Sequence, residues 1–186
     1  MDYDTRWNEL ARVLVDYSTR TRAGDRVIII MREMDSFPLM RATYARAVEL
    51  GAYPQVLFNS TYLQRDLMRY GSEEQVGREP ELFTHAMEWA DVCVDLRAAT
   101  NLYEFADIDA RTVSLHRKAE GKVSARRTSE TKWTICRIPT PASPYFPPDR
   151  AACSCSRPTS RDGLTASVSI TSSTATPSRA WHGPRA

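Results

Sequence analysis

Apolar side chains recur at two different periods along the first three-quarters of the chain, and the alternation of those periods lays out a fold. Trp7, Leu10, Leu14 and Tyr17 repeat at steps of three and four, with Ala11 and Val13 widening the stripe; this is the spacing of one helix face. Asp2 and Asp4 stand where a helix dipole favours anions, and Arg20 and Arg22 where it favours cations. Gly24 fits a left-handed stop beyond the last turn. Val27-Ile28-Ile29-Ile30-Met31 is apolar at every position, as expected of a strand covered by helices on both sides. Ser36 is placed to cap a second helix, with Pro38 tolerated in its first turn. The stripe Phe37, Met40, Tyr44, Ala47 and Val48 would be its buried face, and Gly51 its end. Gln55-Val56-Leu57-Phe58, after Pro54, reads as a second strand, and a strand–helix–strand unit favours a right-handed parallel crossover.

The pattern continues with a helix over 61–70 carrying Leu63, Leu67 and Tyr70, and another over 79–89 carrying Leu82, Phe83, Ala86 and Trp89. Val92-Cys93-Val94-Asp95-Leu96 predicts a third strand. A helix over 109–126 has a thin apolar face of Val113, Leu115 and Val123, and 131–138 alternates like a fourth strand before Pro139-Thr140-Pro141. Strands separated by helices predict an α/β fold with an open, mostly parallel sheet of about four strands flanked by helices.

Past Pro141 the pattern stops. Residues 142–186 contain no Glu and no Lys, are rich in Ala, Pro, Ser, Thr and Arg, and offer only Val168 and Ile170 as a weak strand signal. Such a segment has too few large apolar side chains to offset its ordering entropy, so the expectation is a disordered tail. The chain thus divides into a patterned domain, 1–141, and a low-complexity tail, 142–186. With 22 Arg against three Lys in the whole chain, the tail's bias is also what an out-of-frame reading of a GC-rich coding sequence would give.

Charge narrows the function classes. Up to Pro141 there are 20 basic and 21 acidic residues, and the tail adds Arg150, Arg157, Arg161, Arg179 and Arg185 against Asp149 and Asp162. A near-neutral domain exerts no global pull on nucleic acid or an anionic membrane. No apolar run approaches the roughly 18 residues that span a bilayer, and the acidic start lacks the order of a secretory signal. The reading is a cytoplasmic protein. Arg111, Arg117, Lys118, Lys122, Arg126 and Arg127 form a basic group on the 109–126 helix, but Asp107, Asp109 and Glu120 interrupt it and no aromatic residues are interleaved to stack bases. It reads as a solvated helix face. The turn Arg32-Glu33-Met34-Asp35-Ser36 follows the first strand, where α/β sheets often hold nucleotides, yet it has no glycine and two acids that repel phosphate.

Metal chemistry finds little to work with. The histidines are His85, His116 and His182; none belongs to a His-Glu-x-x-His helix and none is followed two residues on by Asp or Glu. A two-metal hydrolytic site needs several carboxylates and imidazoles converging. Cys93 and Cys136 lie in strand-like runs, and Cys153 and Cys155, one residue apart, cannot close a tetrahedral site alone. Nothing resembles a disulfide framework. The expectation is no catalytic, cofactor-binding or metal-binding residue in this chain. Trp7, Tyr17, Trp89 and Trp133 read as core or domain-contact aromatics.

The order of these pieces nevertheless resembles one family. Residues 10–30 (LARVLVDYSTRTRAGDRVIII), then Phe37-Pro38-Leu39 leading to Ala47-Val48-Glu49-Leu50-Gly51-Ala52-Tyr53-Pro54, are similar to the N-terminal domain of the thermophilic-type metallo-aminopeptidases, the aminopeptidase T and aminopeptidase S group. Asn101, Ala119-Glu120-Gly121-Lys122, Trp133-Thr134 and Pro139-Thr140-Pro141 extend the likeness to about 6–141. The resemblance implies metal-dependent hydrolysis of N-terminal residues from peptides, with two divalent ions such as zinc or cobalt held in a C-terminal domain, and an N-terminal α/β module that helps cover the site. None of the metal-binding residues can be carried over, because the likeness ends at Ala142. The resulting expectation is an aminopeptidase-like chain without its catalytic domain, inactive alone; the alternative is a stand-alone α/β module that pairs with itself or with a full-length relative through the Trp89 and Trp133 surface.

Overall fold

The computed structural model describes residues 5–98, 103–137, 152–157 and 166–171. Its centre is β1 (Arg26–Arg32), buried from Val27 to Met31. On one side of it lies β2 (Tyr53–Asn59), on the other β3 (Val92–Arg97) and then β4 (Lys132–Arg137), all parallel. The parallel core is the expected one, and its apolar runs are covered on both faces. Period-two alternation sends Val27, Ile29, Val92 and Val94 to the face packed by the chain's first two helices, and Ile28, Ile30 and Cys93 to the opposite face.

The first face is closed by α1 (Thr5–Arg12) and α2 (Phe37–Glu49). After α1 the backbone widens into π-helix over Val13–Ser18, whose larger turn breaks the 3.6-residue stripe. Leu10, Ala11, Leu14 and Val15 stay buried, but Tyr17, expected on that stripe, is thrown outward and is 58% exposed. Thr19 steadies the irregular turn through its hydroxyl, which donates to the carbonyl oxygens of Leu14 and Val15 at 3.0 and 3.1 Å.

In α2 the buried face is Leu39, Ala42, Thr43 and Ala47; of the expected stripe, Ala47 is buried and Met40 packs on the core. Small side chains let α2 lie close to α1 and the sheet, and Phe37, Tyr44 and Val48 face outward. Ser36 does not cap the helix by its side chain; its hydroxyl donates back to the carbonyl oxygens of Arg32 and Glu33. The expected stop is present: Gly51 has φ +77°, Ala52 N–H returns to Ala47 O and Gly51 N–H to Val48 O, which is the Schellman closure.

Four helices follow on the other side. α3 (Thr61–Tyr70) and α5 (Glu81–Trp89) stand where the pattern placed helices, α4 (Glu73–Gly77) was not foreseen, and α6 (Ala110–Glu130) runs a turn longer than expected. A capping box between Ser72 and Gln75 starts α4, and the Asp109 carboxylate accepts from the Arg111 and Thr112 N–H groups at the head of α6. The α3 stripe read in sequence faces outward, whereas the α5 stripe is on the core except for Leu82. Leu63, Leu67, Tyr70 and Leu82 are exposed, while Met68 and Met87 are buried. Phe83, Ala86, Trp89, Val123 and Trp133 pack on Ile28, Ile30 and Cys93. Trp89 and Trp133 are thus partly buried core aromatics of this face.

Past Pro141 the described residues are two short strands, β5 (Ala152–Arg157) and β6 (Ala166–Thr171), paired antiparallel beyond β4. The Val168 and Ile170 signal lies in β6. Cys136, buried on β4, is disulfide-bonded, a bond the sequence reading did not anticipate. Asn101, Pro139-Thr140-Pro141 and His182 lie outside the described residues.

Candidate functional site at the carboxyl end of the sheet

β1 has β2 on one side and β3 on the other, so the chain leaves β1 toward one edge and later builds toward the opposite edge. In open α/β sheets the crevice beyond the carboxyl ends at such a switch point is where ligands bind. The pleat puts Ile28, Ile30 and Arg32 of β1 on one face with Cys93, Asp95 and Arg97 of β3, and Arg32 and Arg97 are register partners on the last rung.

Asp95 is the centre of this arrangement. It is fully buried, and its carboxylate accepts from three guanidinium groups: Arg32 Nε at 2.9 Å on Oδ1, Arg97 Nε and Nη2 at 3.0 and 2.8 Å on Oδ2, and Arg127 Nη1 at 3.2 Å on Oδ2. Burial pushes the Asp95 carboxyl up, but the charges of Arg32 and Arg97 and their hydrogen bonds outweigh it and hold it below its ordinary value. Three cations around one anion leave the cluster with excess positive charge. The Arg127 guanidinium also lies over the Trp133 ring, 5.3 Å from its centroid, which favours a cation held there. Beneath Asp95, burial and its negative charge push the Cys93 thiol up to about 12.

The loop after β1 is held from a different side. Glu33 takes φ +64°, a region that disfavours a side chain. Its buried carboxylate accepts from the Ser60 and Thr61 hydroxyls at 2.8 and 2.7 Å and from the Thr61 N–H at 2.5 Å, at the head of α3. These bonds tie the β1–α2 loop to the β2–α3 loop and hold the strained backbone.

Beside the arginine cluster a cavity of about 220 Å³ opens between α3, α5 and α6. Arg32 and Arg127 line one end, Leu63, Phe83 and Val123 its apolar walls, and His116 and Glu120 also border it. The Glu120 carboxylate accepts from Gln64 Nε2 at 2.9 Å and lies 3.9 Å from His116 Nε2. His116 Nε2 and Arg127 Nε are buried with no hydrogen-bond partner among the described residues.

The residues singled out in the sequence fall differently. His85 is exposed and 3.3 Å from Glu88, as a solvated position should be. His116 is buried on α6, while its neighbours Arg117 and Lys118 are exposed. The basic group is dispersed: Arg111 pairs with Glu73, Lys122 with Glu79, and Arg127, read as solvated, is buried on Asp95. The expected solvated face therefore excludes Arg127. Arg32 and Asp95 were not singled out as binding residues; a lone aspartate inside the apolar run of β3 is the signal that marks them.

The metal chemistry implied by the resemblance does not fit these residues. Among the described residues no group of three or more His, Cys, Asp or Glu is placed to hold a metal ion. The buried carboxylates already have other partners, Asp95 three guanidiniums and Glu33 the hydroxyls and N–H at α3.

This is a doubly wound α/β domain with a ligand-type crevice at its switch point. A family model described as thermophilic metalloprotease (M29) matches residues 3–182, and the chain belongs to that family. The matched span extends past Pro141. Wild-type AmpT from Thermus thermophilus has a similar fold, with TM-score 0.63 and 16% identity over 76% of this chain and 38% of that one; the chain spans about two fifths of that protein's length. A 2-hydroxyisobutyryl-CoA ligase in an open conformation aligns at TM-score 0.29 and 12% identity, over 82% of this chain and 41% of that one, too weakly for any inference. Comparison with curated proteins gave no match.

Proposed function

We propose that residues 6–141 act as the accessory α/β domain of a metallo-aminopeptidase-like protein, helping to cover a peptide-hydrolysing metal site whose ligands lie outside this segment. Membership of the metalloprotease family supports the class. The observation that carries the accessory role is that, among the described residues, the buried carboxylates Asp95 and Glu33 are bound to arginines, hydroxyls and a backbone N–H, and no group of His, Cys, Asp or Glu converges to hold a metal ion. A two-metal site needs several such ligands together with an open position for water. On this reading the chain alone does not hydrolyse peptides.

The test is chelator-sensitive release of an amino acid from a chromogenic amide. The expected result is no turnover above the chelated control; metal-dependent turnover by the purified chain would end the proposal. The out-of-frame origin of residues 142–186 belongs to the same reading. Translation of the coding DNA in the other two frames after codon 141 should yield paired Glu, His and Asp ligands, and their absence from both frames sinks that part.

A second reading is a binding module that pairs with itself or with a full-length relative; Trp89 and Trp133, expected to carry that surface, pack on the core, and the exposed apolar residues that favour pairing are Phe37, Tyr44 and Val48 on α2 and Val56 and Phe58 on the edge strand β2. It predicts a dimer by light scattering, and a monodisperse monomer would count against it.

A further inference from the structure

We propose that the cavity between α3, α5 and α6 is a binding site for a small monocarboxylate with an apolar body, its carboxylate on Arg32 and Arg127 and its body against Leu63, Phe83 and Val123. Three observations carry this independently of the peptidase reading. First, the charge where Arg32 and Arg127 line the cavity is positive and already organised. Arg32 uses only Nε on Asp95, so its two terminal amino groups remain for a second acceptor in the fork geometry that matches a carboxylate. Its side chain is 23% exposed while Asp95 is sealed, which places it between the buried anion and the cavity. Second, Arg127 is nine-tenths buried and its Nε has no partner among the described residues. A buried donor left unmade costs about 1–3 kcal/mol, and an anionic oxygen in the cavity would remove that cost. Third, Ile30, Leu63, Leu67, Phe83, Met87 and Val123 give the cavity a largely apolar wall, which disfavours a compact, fully hydrated anion such as phosphate.

Size and charge restrict the ligand further. At about 30 Å³ per water in the liquid, 220 Å³ has the bulk of about seven waters, or of an organic acid with about six to nine non-hydrogen atoms. His116 and Glu120 precede Arg127 on α6 by three and two turns, which at about 1.5 Å per residue puts them about 10–17 Å from it along the helix. The Glu120 carboxylate therefore borders the end away from the arginines, where it opposes a dianion spanning the cavity but not a monoanion held at Arg32. Arg78, at the rim, is engaged by Glu81 at 2.8 Å.

Hexanoate, hexylamine and inorganic phosphate distinguish the components of this site by calorimetry on the full chain, with imidazole proton shifts of His116 as a second readout. Hexanoate is expected to bind saturably and move the His116 signals, while hexylamine and phosphate do neither. Arg32→Gln should weaken hexanoate at least tenfold. Because that change also touches the Asp95 cluster, Leu63→Trp provides an independent arm: it fills the cavity from the exposed side of α3 and should abolish binding with an unchanged unfolding midpoint. The proposal is overturned by no saturable hexanoate binding, by equal binding of hexylamine or phosphate, or by hexanoate binding that survives both substitutions.

Discussion

Asp95 stands in the sequence as one acid inside Val92-Cys93-Val94-Asp95-Leu96, and its partners are Arg97 on the same strand and Arg32 and Arg127 on two other elements, 63 and 32 residues away. The anomaly was visible in the run itself; the partners were not, because nothing local says which arginines turn inward. Replacing it tests the cluster. Asp95→Asn keeps the shape but leaves three guanidiniums around a neutral amide, and loss of one member of a buried ionic group costs about 3–5 kcal/mol. The urea midpoint should fall accordingly, and an unchanged midpoint would remove Asp95 from the centre of the site. Acid should act in the same sense. Asp95 is held below its ordinary carboxylate value, and Asp91, hydrogen-bonded by Arg26, is lowered from 3.8 to about 2. A depressed carboxylate contributes stability above its unfolded value and loses it as pH falls through the folded one. Stability should therefore decline from about pH 4 toward pH 2, and Asp91→Asn should flatten the start of that decline; an acid limb identical in wild type and variant contradicts it. Cys93 gives a kinetic counterpart. Buried, with its thiol pushed up to about 12, it should resist iodoacetamide at pH 8 in the native chain and react after denaturation, as read by peptide mass spectrometry.

Among the elements, helix and strand positions were legible and helix faces were legible in part, with the first helix up to Leu14 and α5 closest to expectation. The four parallel strands, α3 and α5 stand close to where hydrophobic period and breakers placed them. In α2, however, Phe37, Tyr44 and Val48 of the expected stripe face outward and Leu39, Ala42 and Thr43 are buried instead, beside Ala47 and the partly buried Met40. In α3, Leu63 and Leu67 border an open cavity and not a closed core, so their spacing named a helix without naming what covers it. The π turn at Val13–Ser18 has no simple sequence mark, and it is what displaced Tyr17. Gly51 was legible and is testable. At φ +77° a side chain is strained, although a Cβ there would meet Ala23 at ordinary contact distance, its Cβ at 3.4 Å and its Cα at 3.8 Å. Gly51→Ala should lower stability by about 1 kcal/mol through backbone strain, seen as a lower Tm with an unchanged far-UV spectrum. A rise in Tm would show that α2 does not depend on the left-handed stop.

For the whole molecule, the sheet order β2-β1-β3-β4-β5-β6 joins a parallel core to an antiparallel pair. The core follows from apolar runs separated by amphipathic helices. The pair does not, since Ala152–Arg157 is mainly small and polar and its place depends on the edge offered by β4. The arginine-lined crevice was likewise hidden, because a switch point is a property of strand order and not of any one segment. The family was legible from the order of modest pieces, whereas the domain's role rests on which ligands the chain can bring together. Metal stoichiometry tests that role most directly. After zinc or cobalt loading and gel filtration, the purified chain should retain no stoichiometric metal. Two tightly held equivalents per chain, with peptide cleavage that follows their loss and return, would contradict it.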